Sequence, residues 1–254
     1  MNSKLPTVAV PCLRPRTQRG AVVGRPQETG SGFTRLELVV LVSALVLLCA
    51  AALPVLANTR PRSQRLVCVS NLARVGQAYA VWGSDHADYY PFLLSPKLGG
   101  TRTPFNGLEI NPWFQFSWIS NELATPRVLA CPSDTKVRAE SFSAGPGGFL
   151  GPNYRNNAVS YFLSYPLLPY GHVVLSGDRN IKAQRIASCV IFGPGVAEIV
   201  APAGAPFTPW EPRIHGESGN LLLSDGAVEQ TGSPELNRMF NGFPDNSTRH
   251  LIIP

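Results

Sequence analysis

The longest uninterrupted apolar run lies near the start of the chain. Leu38 to Ala57, LVVLVSALVLLCAAALPVLA, is twenty residues without a charged side chain. At about 1.5 Å of rise per residue, a helix of that length spans ~30 Å, the thickness of the hydrocarbon core of a bilayer. A helix buried in a soluble core keeps a polar stripe at 3.6-residue spacing. This run is apolar all round, with Ser43 and Cys49 as its only mildly polar members. The pattern predicts a membrane-spanning helix. A second periodic segment follows at residues 62–82, RSQRLVCVSNLARVGQAYAVW. Its apolar positions Leu66, Val69, Leu72, Ala73, Val75, Gly76, Ala78, Tyr79 and Trp82 fall on one helical face. Pro61 suits the first turn of that helix, which predicts a break between it and the membrane run. Gly83-Ser84-Asp85 predicts its end.

Further along, residues 91–130 are rich in Pro, Gly and Trp without a long period, and read as loops and short strands. Segments 158–165, 172–176, 186–193, 220–223 and 227–230 are β-like by their Val, Ile, Tyr and Phe content. One helix followed by several short strands predicts an α+β head, an antiparallel sheet packed on a helix. Asp225-Gly226, between LLLS and AVEQ, predicts a two-residue hairpin turn with positive φ at both central positions.

Composition narrows the class. With 44% hydrophobic and 15% charged residues the chain is not disordered, and 23 Gly with 24 Pro argue against a mostly helical bundle. The net charge is +6, of which residues 1–32 hold +4 through Lys4, Arg14, Arg16, Arg19 and Arg25 against Glu28. A nucleic-acid binder carries its basic stripe on a folded surface; this chain offers none, and no nucleic-acid partner is expected. The basic segment ahead of the apolar run favours a cytoplasmic N-terminus, although Arg60, Arg62 and Arg65 follow the run.

One acid stands on the threshold of the apolar run. A carboxylate entering a membrane costs a few kcal/mol unless it is paired or interfacial, and Glu37 at a helix N-terminus complements the dipole there. GFTRLELVVLVSALVLLCAAALPVL, from Gly32 onward, resembles the cleavage and methylation segment of type IV prepilins and type II secretion pseudopilins. The resemblance implies that a membrane-bound prepilin peptidase cuts between Gly32 and Phe33 and that the new Phe33 terminus is methylated. It implies that Glu37 pairs with the Phe33 amine of a neighbouring subunit during assembly, and that Pro54 bends the stem. Arg35, a cation inside the stem, can snorkel to the interface. The expected organisation is a basic leader at 1–32, a membrane-spanning stem at 33–60 and an exported head at 61–254. The fold implied is pilin-like and α+β. The location implied is the bacterial inner membrane, crossed once with the head outside. The implied partners are the lipid bilayer, other pilin-like subunits, and the inner-membrane secretion or pilus assembly machinery. A non-polymerising anchored protein that binds calcium or carbohydrate is the alternative.

The head carries a second resemblance. Cys68-Val69-Ser70-Asn71-Leu72 with Gly76, then Cys131-Pro132-Ser133-Asp134, then His215, nine residues and Asp225-Gly226 follow in that order. The set is similar to a group of bacterial pseudopilin-like proteins whose head has no assigned activity and is named for its His-to-Asp-Gly spacing. His215 is expected to hydrogen-bond the hairpin at Asp225 or its neighbour. In an exported head Cys68 and Cys131 are the preferred disulfide pair, joining helix to loop, with Cys68–Cys189 as the competitor. Cys12 falls in the leader and Cys49 in the membrane run.

Enzyme signatures are missing from the sequence. His86, His172, His215 and His250 are scattered, and no HExxH, GxSxG, P-loop or CxxC occurs, so neither catalysis nor a cofactor is expected. Asp85-His86-Ala87-Asp88 and Gly177-Asp178-Arg179-Asn180 are acidic turns with oxygen donors for calcium, and read first as solvated turns. Trp113, Phe114, Phe116, Trp118, Tyr89 and Tyr90 could form a sugar-binding platform; as residues of a strand they read first as core.

Overall fold

The computed structural model describes residues 32–102, 110–164, 173–182, 184–185, 197–199, 210–241 and 249–254. The side chains of 53–60, 184–185, 197–199, 241 and 249–250 are outside the description. The leader up to residue 31, Cys12, His172, Cys189 and the β-like segment 186–193 also lie outside the described residues. The chain divides into two compact units, residues 1–51 and 52–254.

Helix α1, Arg35–Ser84, is 50 residues long and supplies elements to both units. Its first turn is closed by a reciprocal cap. The Glu37 carboxylate accepts hydrogen bonds from the Thr34 N–H at 2.8 Å and the Thr34 hydroxyl at 3.0 Å. The Thr34 hydroxyl in turn accepts from the Glu37 N–H at 3.2 Å. This Thr-x-x-Glu capping box was present in the sequence and explains why the helix begins where it does. Within α1 the window Arg35–Ala52 is long and apolar enough to cross a membrane. Its side chains are exposed, Leu36 at 75% and Leu47 at 70% among them.

The expected break at Pro61 is corrected: α1 is helical through both Pro54 and Pro61. Each proline removes one backbone N–H from the ladder. That local loss is outweighed by strong helix formers, Leu, Ala, Arg and Gln, on either side. In the head, Cys68, Leu72, Val75, Tyr79 and Trp82 form the buried stripe, while Leu66 is 61% exposed and lies off it. The helix ends at Ser84, as Gly83-Ser84-Asp85 predicts. His86 then stacks on Trp82 at 3.6 Å, with Ala87 and Asp88 at positive φ.

The described residues of 91–130 form short helices and turns, with no strand among them. Helix α2 is Pro112–Trp118 and α3 is Ser120–Leu123, with 3-10 turns at Pro91–Leu93, Pro96–Leu98 and Pro126–Leu129. All but α3 start on a proline, whose fixed φ suits a first helical position. The prolines that read as loop signals are helix starters here.

The described strands are β1 Tyr161–Ser164, β2 Val174–Asp178, β3 Gln184–Arg185, β4 Ala197–Ile199, β5 Ser218–Leu223, β6 Val228–Gly232 and β7 Arg249–Ile252. They form one sheet in the order β3-β4-β7-β1-β2-β5-β6, each neighbour antiparallel. The head is therefore α+β, with an antiparallel sheet. Alternation along the strands sorts the core into two clusters. Tyr161, Leu163, Leu175, Leu222 and Ile252 join α1 and α2 residues in one. Phe162, Val174, Leu221, Leu223 and Leu251 join Trp210 in the other. That second cluster is closed by Leu236 and Phe240 of α4, Ser233–Asn241. Two covered faces explain why YFL and LLL are continuous apolar runs.

The β5–β6 turn departs from the expected two-residue form. Positive φ occurs at Gly226 and not at Asp225. The Gly226 N–H donates to the Leu223 carbonyl at 3.0 Å, and the Leu223 N–H donates to the Ala227 carbonyl at 2.8 Å. This is a three-residue loop, Ser224-Asp225-Gly226, in which a turn is followed by a left-handed glycine. Asp225 supports it by accepting from the Ala227 N–H at 2.9 Å.

Gly219 of β5 lies against the Trp210 indole, where an added Cβ would come within 2.5 Å of ring carbons. The indole is buried and has no free direction to yield. Gly219→Ala is expected to destabilise the protein by roughly 1–3 kcal/mol, the range for overpacking. A urea titration of the detergent-solubilised protein, followed by tryptophan fluorescence, measures it.

Candidate functional site

Two cysteines of the head are joined. Cys68, on the buried face of α1, and Cys131, in the loop after Pro126–Leu129, form a disulfide with Cα atoms 5.2 Å apart. This is the pair preferred over Cys68–Cys189. Cys49, on the apolar part of α1, is free and exposed.

Around the disulfide the chain gathers polar groups from four places. His215, in the loop leading into β5, brings Nε2 to 3.4 Å from Cys131 Sγ. The same nitrogen lies 3.6 Å from Asp178 Oδ2 at the end of β2, the two side chains being 3% and 0% exposed. Asp178 Oδ2 accepts from both the backbone N–H and the side-chain amide of Asn220, at 2.7 and 2.8 Å. Its other oxygen, Oδ1, is buried and has no hydrogen-bond partner among the described residues. Arg65, one turn before Cys68, reaches over this edge of the sheet. Its guanidinium donates to the Ser218 hydroxyl at 2.9 Å, the Gly219 carbonyl at 3.3 Å and the Asn220 side-chain oxygen at 3.4 Å.

The Cys-Pro-Ser-Asp element is tied down at both ends. Cys131 holds it to α1, and Asp134 takes a two-point grip from Arg179, Nε to Oδ2 and Nη2 to Oδ1, each at 2.7 Å. Arg179 directly follows β2, so the loop is stapled to helix and sheet together. Burial works against the Asp134 charge, but the Arg179 hydrogen bonds outweigh it and hold the carboxyl below its usual range.

Burial pushes Asp178 up to about 7, with the Asn220 bonds and the Arg65 charge offsetting only part of that cost. Burial and then the Arg65 cation bring His215 down to about 4, against a weaker opposing pull from Asp134. Above His215 a pocket of about 650 Å³ opens, lined by Arg62, Arg65, Pro132, Ser133 and His215 among others.

The residues singled out by sequence fall into separate groups. His215 and Asp225 do not meet: His215 faces Asp178 and the disulfide, and Asp225 serves its own turn. Asp225-Gly226 forms the β5–β6 turn, and the acidic neighbour of His215 is Asp178, from a segment read as a solvated turn. That reading of Gly177-Asp178-Arg179-Asn180 is corrected. Asp178 is bound to Asn220, Arg179 to Asp134, and Asn180 donates to the Glu211 and Ser218 carbonyls at 2.9 and 3.0 Å. The aromatic residues at 113–118 lie on helix α2, not on a strand. Phe116 and Tyr90 are core. Trp118 is 39% exposed, and Trp113 lies under the Arg155 guanidinium at 4.8 Å. The sequence marks Asp178 only as part of an acidic turn with oxygen donors, and marks neither Asn220 nor Arg65 as a partner for it; the β2–β5 register puts Asp178 beside Asn220. Comparison with protein-family models, with curated proteins and with solved structures gives no significant match.

Two outcomes test the electrostatics. Arg179→Met leaves the buried Asp134 carboxylate unpaired, and is expected to cost roughly 3 kcal/mol at neutral pH; the loss should shrink as acid protonates Asp134. The Asp178–His215 pair gives opposite slopes when it is split. In Asp178→Asn the remaining imidazole is depressed in the folded state, so the unfolded chain takes the proton first. Stability relative to the native protein should fall as pH drops from about 6.5 to 4. In His215→Gln the remaining carboxyl is raised in the folded state, so the unfolded chain loses its proton first. Stability should then fall as pH rises from about 4 to 7. Urea midpoints across that range read both.

Proposed function

We propose that the chain is a pilin-like structural subunit, anchored by its stem in the inner membrane with the head exported. It is processed at Gly32–Phe33 and assembled with other pilin-like subunits into a type II secretion pseudopilus or type IV pilus-like filament. Its partners in that reading are a prepilin peptidase, the assembly machinery and neighbouring stems. The observation that carries the proposal is the mouth of α1. An exposed apolar helix opens on Thr34, and the Glu37 carboxylate turns back to the Thr34 N–H, the peptide group contributed jointly by Phe33 and Thr34. That position sets the acid one residue from the amine that a cut after Gly32 would free. A low-dielectric filament core makes an unpaired carboxylate costly, and an ammonium from a neighbouring Phe33 offsets that cost. A single axial offset brings the two charges together, so the pair also sets the register of the stems.

The disulfide-closed head supports export, since such bonds persist in oxidising compartments. The pocket beside Arg62 and Arg65 favours a second reading, an anchored protein that binds an acidic group without polymerising.

N-terminal sequencing of the membrane-extracted protein should begin at Phe33. A start near Asn58 or an unprocessed end removes the proposal. Gly32→Ala should leave the leader attached. Glu37→Ala should be processed but accumulate in the membrane, whereas a non-polymerising protein would show no change in its distribution.

A further inference from the structure

We infer that, when the Cys68–Cys131 bond is reduced, the two thiolates and His215 Nε2 form a binding site for a zinc-class divalent cation. Cys68 Sγ, Cys131 Sγ and His215 Nε2 lie within 4.8 Å of one another, and both cysteines are buried. Two thiolates and an imidazole are the donor set of tetrahedral zinc, with bonds of ~2.3 Å to sulfur and ~2.0 Å to nitrogen. Those bonds put sulfur and nitrogen ligands ~3.5 Å apart, and the Cys131 Sγ to His215 Nε2 distance is already 3.4 Å. Breaking the bond frees the sulfurs to separate to the edge of the same tetrahedron.

Asp178 is the independent indication of a cation. Its side chain is wholly buried, Oδ2 is 3.6 Å from the His215 nitrogen, and Oδ1 has no partner among the described residues. The two thiolates balance the charge of a divalent ion, and a buried carboxyl with an unsatisfied oxygen beside them offers a further oxygen donor to it. The pocket over His215 and Pro132 provides the route from solvent.

The chemistry balances with a dithiol as reductant. The dithiol gives two electrons and two protons to the Cys68–Cys131 bond and becomes a disulfide itself. The cation then displaces the two thiol protons into solvent as both metal–sulfur bonds form. The same residues thus serve as a covalent staple when oxidised and as a metal site when reduced, whether or not the chain polymerises.

The test uses the full chain in detergent with Cys12, Cys49 and Cys189 replaced by serine, reduced with a phosphine and titrated with Co2+. The expected result is thiolate-to-cobalt charge-transfer bands with tetrahedral d–d absorption at one equivalent, bleached by Zn2+. The oxidised protein should show none. His215→Gln should weaken Co2+ binding by more than the ~10–100-fold typical of losing an outer-shell partner, and Asp178→Asn, which removes an oxygen donor on the same side as Nε2, should weaken it as well. If reduction unfolds the head, Co2+ should restore both the fold and the bands. Bands that fail to appear, or that His215→Gln leaves unchanged, overturn the inference.

Discussion

The Cys68–Cys131 bond is the constraint on which the head's organisation depends. It closes a loop with a sequence separation of 63 residues, a restriction of the unfolded chain worth roughly 4 kcal/mol in the chain-entropy account. Its position matters as much as its energy. On one side it fixes the α1 face that buries Leu72, Val75 and Tyr79. On the other it fixes a loop whose Asp134 is gripped by Arg179 beyond β2. Helix, loop and sheet edge are thereby held at one point, and His215 is brought against the sulfur of that point.

The polar cluster sits at the end of β2, away from the apolar middle of the sheet. Both faces of the central strands are apolar, with α1 and α2 over one and α4 over the other. A charge in the middle of either face would be stranded. Asp178 closes β2 and Asn220 lies near the start of β5, next to the mouth opened by Arg65 and the His215 loop. There the Asn220 donors and the Arg65 guanidinium reach the buried groups. Asn220 is bound from both sides, accepting from Arg65 and donating to Asp178, so helix α1 is coupled to the acid through one amide.

The apolar part of α1 obeys a different rule. Its side chains are exposed, which water would penalise and a bilayer or a bundle of like helices would not. Its one acid is satisfied locally by Thr34, so the helix begins without stranding a carboxylate. Both capping bonds fall on Oε2 of Glu37, so Oε1 can accept the neighbouring ammonium in the proposed filament without loss of the cap.

Much of the architecture was legible in the order of the residues. An apolar run without a polar stripe needs no partner to be recognised, and neither does the spacing of Leu72, Val75, Tyr79 and Trp82. The hairpin strands around Asp225-Gly226 were equally plain, because these signals are local and periodic. What misled was also local: prolines at 91, 96, 112 and 126 punctuate the chain like loops, yet each opens a helical turn once packed. The pairing of His215 with Asp178 had no such signal. Antiparallel register between β2 and β5 sets Asp178 opposite Asn220, and the disulfide together with the Asp134–Arg179 pair holds the Cys131 loop against His215. The sequence by itself therefore determined the apolar run, the buried face of α1 and the strands on either side of Asp225-Gly226, since each is decided by side chains within a few residues of it. The tertiary structure alone decided the site, because its members come from distant segments whose burial and mutual charge exist only after those segments have met.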